Sequence, residues 1–171
     1  MLKVSFSSLL KILDDSIKNI PELVLIKACQ TGKAVENDFI NFIKNPKGEY
    51  EYIPQEQKQA LYDYLKQFKS IQSQVEIGNE YFTGFIDLLT DKAIIDIKSS
   101  NETKVQQKWI YQLHFYKVLT NSDKELAVII YNKKKKDWNI LPVETNNDLI
   151  AVIKELTNAI TKTQQFLGET K

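Results

Sequence analysis

The sequence predicts an α/β fold, a mixed β-sheet of about five strands lying between helices, in the order ααα-βββ-α-ββ-α. Three observations predict it. Apolar residues recur at helical spacing up to about Lys69, then alternate or run together from Gln74 to Ser99, and both patterns appear once more before the end. Turn formers at Gly78-Asn79 and Asp91-Lys92 cut the apolar runs into strand lengths. The chain has 171 residues, 43% hydrophobic and 26% charged, the composition and size of one globular domain. A chain of this length buries roughly 70% of its extended surface, enough for a substantial core.

Each element has a local reason. Ser7 or Ser8 caps a first helix carrying Leu9, Leu10, Ile12, Leu13 and Ile17, and Pro21 ends it and opens the next. The second helix spans about Glu22 to Lys44, with Val35, Phe39 and Phe42 on one face and Gly32 interrupting it. Asn45-Pro46-Lys47-Gly48 is a loop. A third helix covers about Gln55 to Lys69, striped by Leu61, Tyr64, Leu65 and Phe68. Strands follow at Gln74–Ile77, Tyr81–Leu89 and Ala93–Ser99, then a fourth helix from about Lys104 to Leu119. Strands Glu125–Tyr131 and Asp137–Val143 form a hairpin around a lysine run. Asn146 or Asn147 caps a final helix reaching about Phe166.

Composition removes several functional classes. One cysteine, Cys29, allows no intramolecular disulfide, no cysteine-based zinc site and no four-cysteine iron–sulfur cluster. No apolar run approaches the 18 or so residues of a membrane span, and the N-terminus lacks a signal-peptide pattern, so the expected compartment is a reducing cytoplasm. The net charge of +1 gives no whole-protein attraction to nucleic acid, although a local patch can still bind it. All 23 basic residues are lysine, which removes arginine fingers and bidentate arginine–guanine readout.

The chemistry-bearing stretch is Gly84-Phe85-Ile86-Asp87 followed by Asp96-Ile97-Lys98. A tight turn at Asp91-Lys92 pairs Leu89 with Ile94 and sets Asp87 opposite Asp96, with Cβ atoms roughly 4.5–5.5 Å apart. Strand alternation puts Lys98 on the face of Asp96. Opposed like charges destabilise a hairpin unless something compensates them. A hard cation does so, since Mg²⁺ takes one or two carboxylates plus waters and phosphate oxygens. A salt-bridged surface hairpin is the plainer alternative. The fourth helix bears on the choice: Val105, Trp109, Gln112, Tyr116 and Leu119 form one stripe, and Gln112 is a polar residue on it. A buried amide needs partners, and the strand lysine or a substrate would supply them.

Gly84-x-x-Asp87, a short hairpin, Asp96-x-Lys98 and then Gln112-x-x-x-Tyr116 resembles the RecB-like exonuclease branch of the PD-(D/E)xK nuclease superfamily, over roughly Ser5 to Tyr131. The resemblance implies a restriction-endonuclease-like core. It implies that Asp87 and Asp96, with the carbonyl of Ile97, bind Mg²⁺ or Mn²⁺. It implies that Lys98 positions or activates the attacking water and stabilises phosphate charge, and that Gln112 and Tyr116 orient Lys98 or touch DNA. The family's early G-x-x-x-His motif reads Gly32-Lys33-Ala34-Val35-Glu36 here, so Glu36 would be the further metal ligand, an oxygen donor that favours Mg²⁺. The implied products are a 5′-phosphate and a 3′-hydroxyl. The implied partners are DNA ends or single strands, a second copy of the chain or a recombination protein, in repair or recombination of the kind phages and mobile elements carry out.

Lys133, Lys134, Lys135 and Lys136 at the hairpin tip, followed by Trp138, can hold a phosphate backbone with an aromatic ring for stacking, or simply be a solvated turn. His114 lies off the Gln112 stripe and reads as a surface residue. Thr31-Gly32-Lys33-Ala34 lacks the spacing and hydroxyl of a P-loop. The function expected is metal-dependent DNA cleavage, and the competing one is a non-catalytic DNA-binding or partner-binding module on the same fold.

Overall fold

The computed structural model describes residues 3–6 and 22–169, with side chains from 26 to 166 in the second stretch. The first predicted helix lies outside the described residues. Among these residues the chain runs β1 (Val4–Ser5), α1 (Glu22–Lys44), a 3-10 turn (Gln55–Gln57) leading into α2 (Lys58–Leu65), β2 (Ile71–Gly78), β3 (Phe82–Thr90), β4 (Ala93–Ser100), α3 (Gln107–Leu119), β5 (Glu125–Asn132), β6 (Asp137–Val143) and α4 (Asn147–Glu169).

The strands form one mixed six-stranded sheet. β4 and β5 pair in parallel along their full lengths, from Ala93 opposite Glu125 to Ser100 opposite Asn132. Their near-continuous apolar sequences suit strands covered on both faces, and α3 is the crossover that a parallel pair requires. β2–β3, β3–β4 and β5–β6 are antiparallel. On one face Val35, Phe39 and Phe42 of α1 and Leu61 and Leu65 of α2 cover Ile95, Ile97, Ala127 and Ile129. On the other, Trp109, Leu113 and Tyr116 of α3 and Ile153 of α4 cover Ile94, Val128 and Ile130. Each Val, Leu, Ile or Phe among them contributes about 1.5–3 kcal/mol when fully buried.

Four elements differ from the sequence expectation. β2 begins at Ile71 instead of Gln74, because Ile71 already pairs with Thr90 of β3. The sheet has a sixth strand, β1, which pairs in parallel with Phe82 and Thr83 and is too short for alternation to reveal. The third helix ends at Leu65 instead of Lys69, because Asp91 Oδ1 in the β3–β4 turn accepts the Lys69 N–H at 2.9 Å and draws the chain into β2. α3 starts at Gln107 instead of Lys104, since Gln106 is extended (φ −87°, ψ 148°).

Two departures from regular pleating position the site. The β3–β4 ladder has the expected register at Leu88–Ile95 and Leu89–Ile94 but stops there, one residue short of Asp87 and Asp96. Since β2 occupies one edge of β3 throughout, β1 takes the edge that β4 has left. β3 and β4 therefore fork at Asp87.

The second departure crosses the β2–β3 ladder. Gln74 and Asp87 are the one missing pair in a register otherwise continuous from Ile71–Thr90 to Gly78–Thr83. Gln74 adopts φ +54°, a left-handed conformation uncommon outside glycine. There both strands exchange faces: Ile71 and Leu88 pack with α1 and α2, whereas Val75 and Ile86 pack with α3.

Candidate active site

The fork leaves β4 backbone donors without strand partners at its mouth, and Asp87 meets one of them. Its Oδ2 accepts the Ile97 N–H at 2.7 Å, so a side chain replaces the ladder where the strands part. Ile97 thus reaches Asp87 through its N–H. Asp96, one residue before it, is 1% exposed. Its Oδ1 accepts from Lys98 Nζ at 3.0 Å, and its Oδ2 lies 2.9 Å from the same ammonium with no hydrogen bond directed at it.

Lys98 is held from both sides. Gln112 Oε1 accepts from its Nζ at 3.1 Å, and Gln112 Nε2 donates to the Tyr116 hydroxyl at 2.6 Å. The strand lysine meets the Gln112 amide, Tyr116 is its second partner, and the chain Asp96–Lys98–Gln112–Tyr116 joins β4 to α3. Gly84 makes room for it. A Cβ at Gly84 would lie 2.9 Å from Tyr116 Cε1, so the ring rests against the β3 backbone.

Glu36 stands beside Asp87 from α1, next to Val35, which anchors that helix over the sheet. Gln74 Nε2 donates to Glu36 Oε1 and lies 3.5 Å from Asp87 Oδ1. Nothing in the sequence pattern marks Gln74, because a glutamine in a strand gives no sign of a left-handed backbone.

Three carboxyl groups therefore face one ammonium. Burial raises Asp87 to about 6, with Glu36 adding to the effect and Lys98 opposing it. Burial raises Asp96 to about 7, again against the pull of Lys98. Glu36 is also raised, by burial first. Burial lowers Lys98, but Asp96 and Asp87 outweigh it and hold the ammonium above its ordinary range. Tyr116 is pushed up to about 12 by burial, so its hydroxyl stays protonated. The surplus negative charge calls for protons or a cation.

Among the described residues no group of three or more His, Cys, Asp or Glu is gathered closely enough to hold a metal ion by itself. The fit to a hard cation rests on the Asp87–Asp96 pair, with the Asp96 Oδ2 that no donor addresses, which matches the one or two carboxylates Mg²⁺ takes.

The remaining expectations divide. Lys134, Lys135 and Lys136 are exposed and Lys133 is half-buried, in a turn ordered by Asn132 Oδ1, which accepts the Lys134 and Lys135 N–H groups at 3.0 and 2.9 Å. The Lys133 N–H donates to Ser100 O at 2.9 Å, so the tip stands at the end of β4 that carries Lys98. Trp138 is not available for stacking. It is buried, its indole donates to Tyr52 O at 2.6 Å, and it packs on Phe39 at 4.8 Å between ring centroids. His114 is not on the surface: it is fully buried, with Nδ1 on Ile110 O at 2.7 Å and Nε2 accepting the Asn146 N–H at 2.9 Å. It fastens α3 to the start of α4. No helix among the described residues is long and apolar enough to cross a membrane.

No family model and no curated protein matches the chain. Among solved structures it is similar to an alkaline exonuclease from Laribacter hongkongensis, at 15% identity and a TM-score of 0.51, over 99% of this chain and 95% of that one. A phage-related exonuclease from Haemophilus somnus 129PT aligns at 18% identity and a TM-score of 0.45, over 99% and 97%. The first likeness establishes the fold: an α/β architecture with a mixed six-stranded sheet flanked by helices, shared with a nuclease.

Proposed function

We propose that this chain is a metal-dependent deoxyribonuclease of the RecB-like branch of the PD-(D/E)xK superfamily, hydrolysing phosphodiester bonds from DNA ends. One observation carries the reading. A half-buried carboxylate, Asp87, and a fully buried one, Asp96, stand at the mouth of a strand fork beside an ammonium, Lys98, that is itself held by Gln112. The shared fold of an alkaline exonuclease accords with it.

Asp87 and Asp96 would hold Mg²⁺ or Mn²⁺, with the Ile97 carbonyl and Glu36 as further oxygen donors. The cation supplies, when bound, Lewis-acid charge for a phosphate oxygen and for the attacking water. Lys98 is kept protonated by its two carboxylate neighbours, so its role is to stabilise negative charge growing on the phosphate oxygens. Gln112 and Tyr116 fix its direction. The water oxygen bonds to phosphorus and the P–O3′ bond breaks, leaving a 5′-phosphate and a 3′-hydroxyl. Lys133 to Lys136, at the same end of β4, would hold the DNA backbone through charge alone, without reading sequence.

Incubation with end-labelled linear DNA and with covalently closed circular DNA, in Mg²⁺, Mn²⁺ or EDTA, tests this. Linear DNA is degraded in either cation, the circle survives, and EDTA stops the reaction. Cleavage in EDTA contradicts the reading, and DNA binding without cleavage under every condition leaves a binding module in its place.

A further inference from the structure

We infer that Gln74 is a positioning residue of this site: its side-chain amide holds the Glu36 carboxylate of α1 beside Asp87 of β3, at the border of the Asp87–Asp96 cation site. The inference rests on the metal-dependent reading above and adds to it a residue outside the three sequence motifs.

Four observations converge on this residue. Gln74 Nε2 donates to Glu36 Oε1 and lies 3.5 Å from Asp87 Oδ1. With both carboxylates ionised the two neighbours can only accept, so the amide nitrogen is the group that faces them. The backbone of Gln74 sits at φ +54°, a left-handed conformation that side-chain-bearing residues rarely adopt. Gln74 and Asp87 are the missing pair of the β2–β3 ladder. The two strands exchange faces at that same point.

A regular pleat would keep Val75 and Ile77 on the face of Ile71. The left-handed turn at Gln74 moves them to the face of α3, and it accompanies the break at Asp87 that frees this carboxylate for the Ile97 N–H. Local strain of this kind persists where surrounding structure over-determines it, and such positions cluster at functional sites. Gln74 is also the donor that connects the Glu36 side chain to the sheet. Groups that orient a ligand without touching the ion typically matter 10–100-fold in metal affinity.

The test uses three single variants, one double variant and the metal alone as probe. Gln74→Gly accepts the left-handed backbone and removes the amide. Gln74→Asn keeps an amide and tolerates the same backbone. Glu36→Gln removes the charge that Gln74 is inferred to position. Thermal melting against Mn²⁺ concentration, without DNA, gives a midpoint for each. Gln74→Gly is expected to fold, with a melting temperature at or above the parent's, and to need at least about 10-fold more Mn²⁺. Gln74→Asn is expected to fall between the two. Glu36→Gln is expected to weaken the midpoint by a similar factor, and the Gln74→Gly/Glu36→Gln double variant to weaken it little further. A parent-like midpoint in a folded Gln74→Gly, a tighter one, or fully additive losses in the double variant overturns the inference while leaving the metal reading standing. A parent with no Mn²⁺-dependent shift overturns both. Unfolding of Gln74→Gly and Gln74→Asn alike assigns the residue to the fold alone and overturns it too.

Discussion

Asp87 accepts the Ile97 N–H at 2.7 Å in the position where β3 and β4 would otherwise continue their ladder. The bond fixes a carboxylate at the mouth of the fork, beside the buried Asp96, and the two acids meet across a gap made by the backbone. That geometry explains why both are raised, to about 6 and about 7: burial comes first, and their charges have one ammonium between them.

The pH dependence of stability follows with a definite sign. An unfolded aspartate loses its proton near pH 3.9. Between about pH 4 and pH 7 the native protein thus keeps protons on Asp87 and Asp96 that the unfolded chain has released, so the contribution of this pair to stability falls as pH rises. Metal-free protein melted across pH 4–8 should lose stability relative to Asp96→Asn through that window, with the difference levelling above pH 7. Parallel profiles for the two proteins would contradict the raised values.

Gly84 and Gly32 should respond in opposite directions to alanine. At Gly84 the new Cβ meets the Tyr116 ring at 2.9 Å and displaces the partner of Gln112, which holds Lys98. Cleavage should fall by roughly 10²-fold, the cost of a displacement near 1 Å in a reacting geometry, with the fold retained by circular dichroism. At Gly32 a Cβ meets nothing within 4 Å, so alanine in the α1 interior should stabilise by about 0.5–1 kcal/mol in denaturant titration. A Gly84→Ala enzyme of parent activity would separate Tyr116 from the site.

The lysine turn is tested by salt. Replacing Lys133, Lys134, Lys135 and Lys136 by alanine should weaken DNA binding and flatten the log–log salt dependence by roughly 0.7–0.9 per lost phosphate contact. An unchanged slope, measured by fluorescence anisotropy from low to moderate salt, would make the turn a solvated one.

Much of this site is legible in the sequence because its signals are local. Asp87, Asp96 and Lys98 follow from a two-residue turn and strand alternation, and the register they require is present at Leu88–Ile95. Gln112 stands out as an amide on an apolar stripe, and Lys98 and Tyr116 are its partners. What local pattern does not encode is where regularity stops. The fork depends on β1 replacing β4 along β3, a pairing between residues distant in sequence. The left-handed Gln74 has no glycine or asparagine to announce it. Trp138 and His114 looked exposed because their covering partners, Tyr52 with Phe39 and Asn146, come from other elements.

Lys98→Ala tests the central claim most directly, since Lys98 joins the Asp96 carboxylate of β4 to Gln112 of α3. The measurement is the cleavage rate of end-labelled linear DNA at saturating Mn²⁺, beside the parent, with folding monitored by circular dichroism. The expected result is a folded protein slowed by about 10²–10⁴, the range for removing one charge-stabilising group, and not rescued by more Mn²⁺ because the lysine is not a ligand. A folded Lys98→Ala protein that cleaves at the parent rate would contradict it.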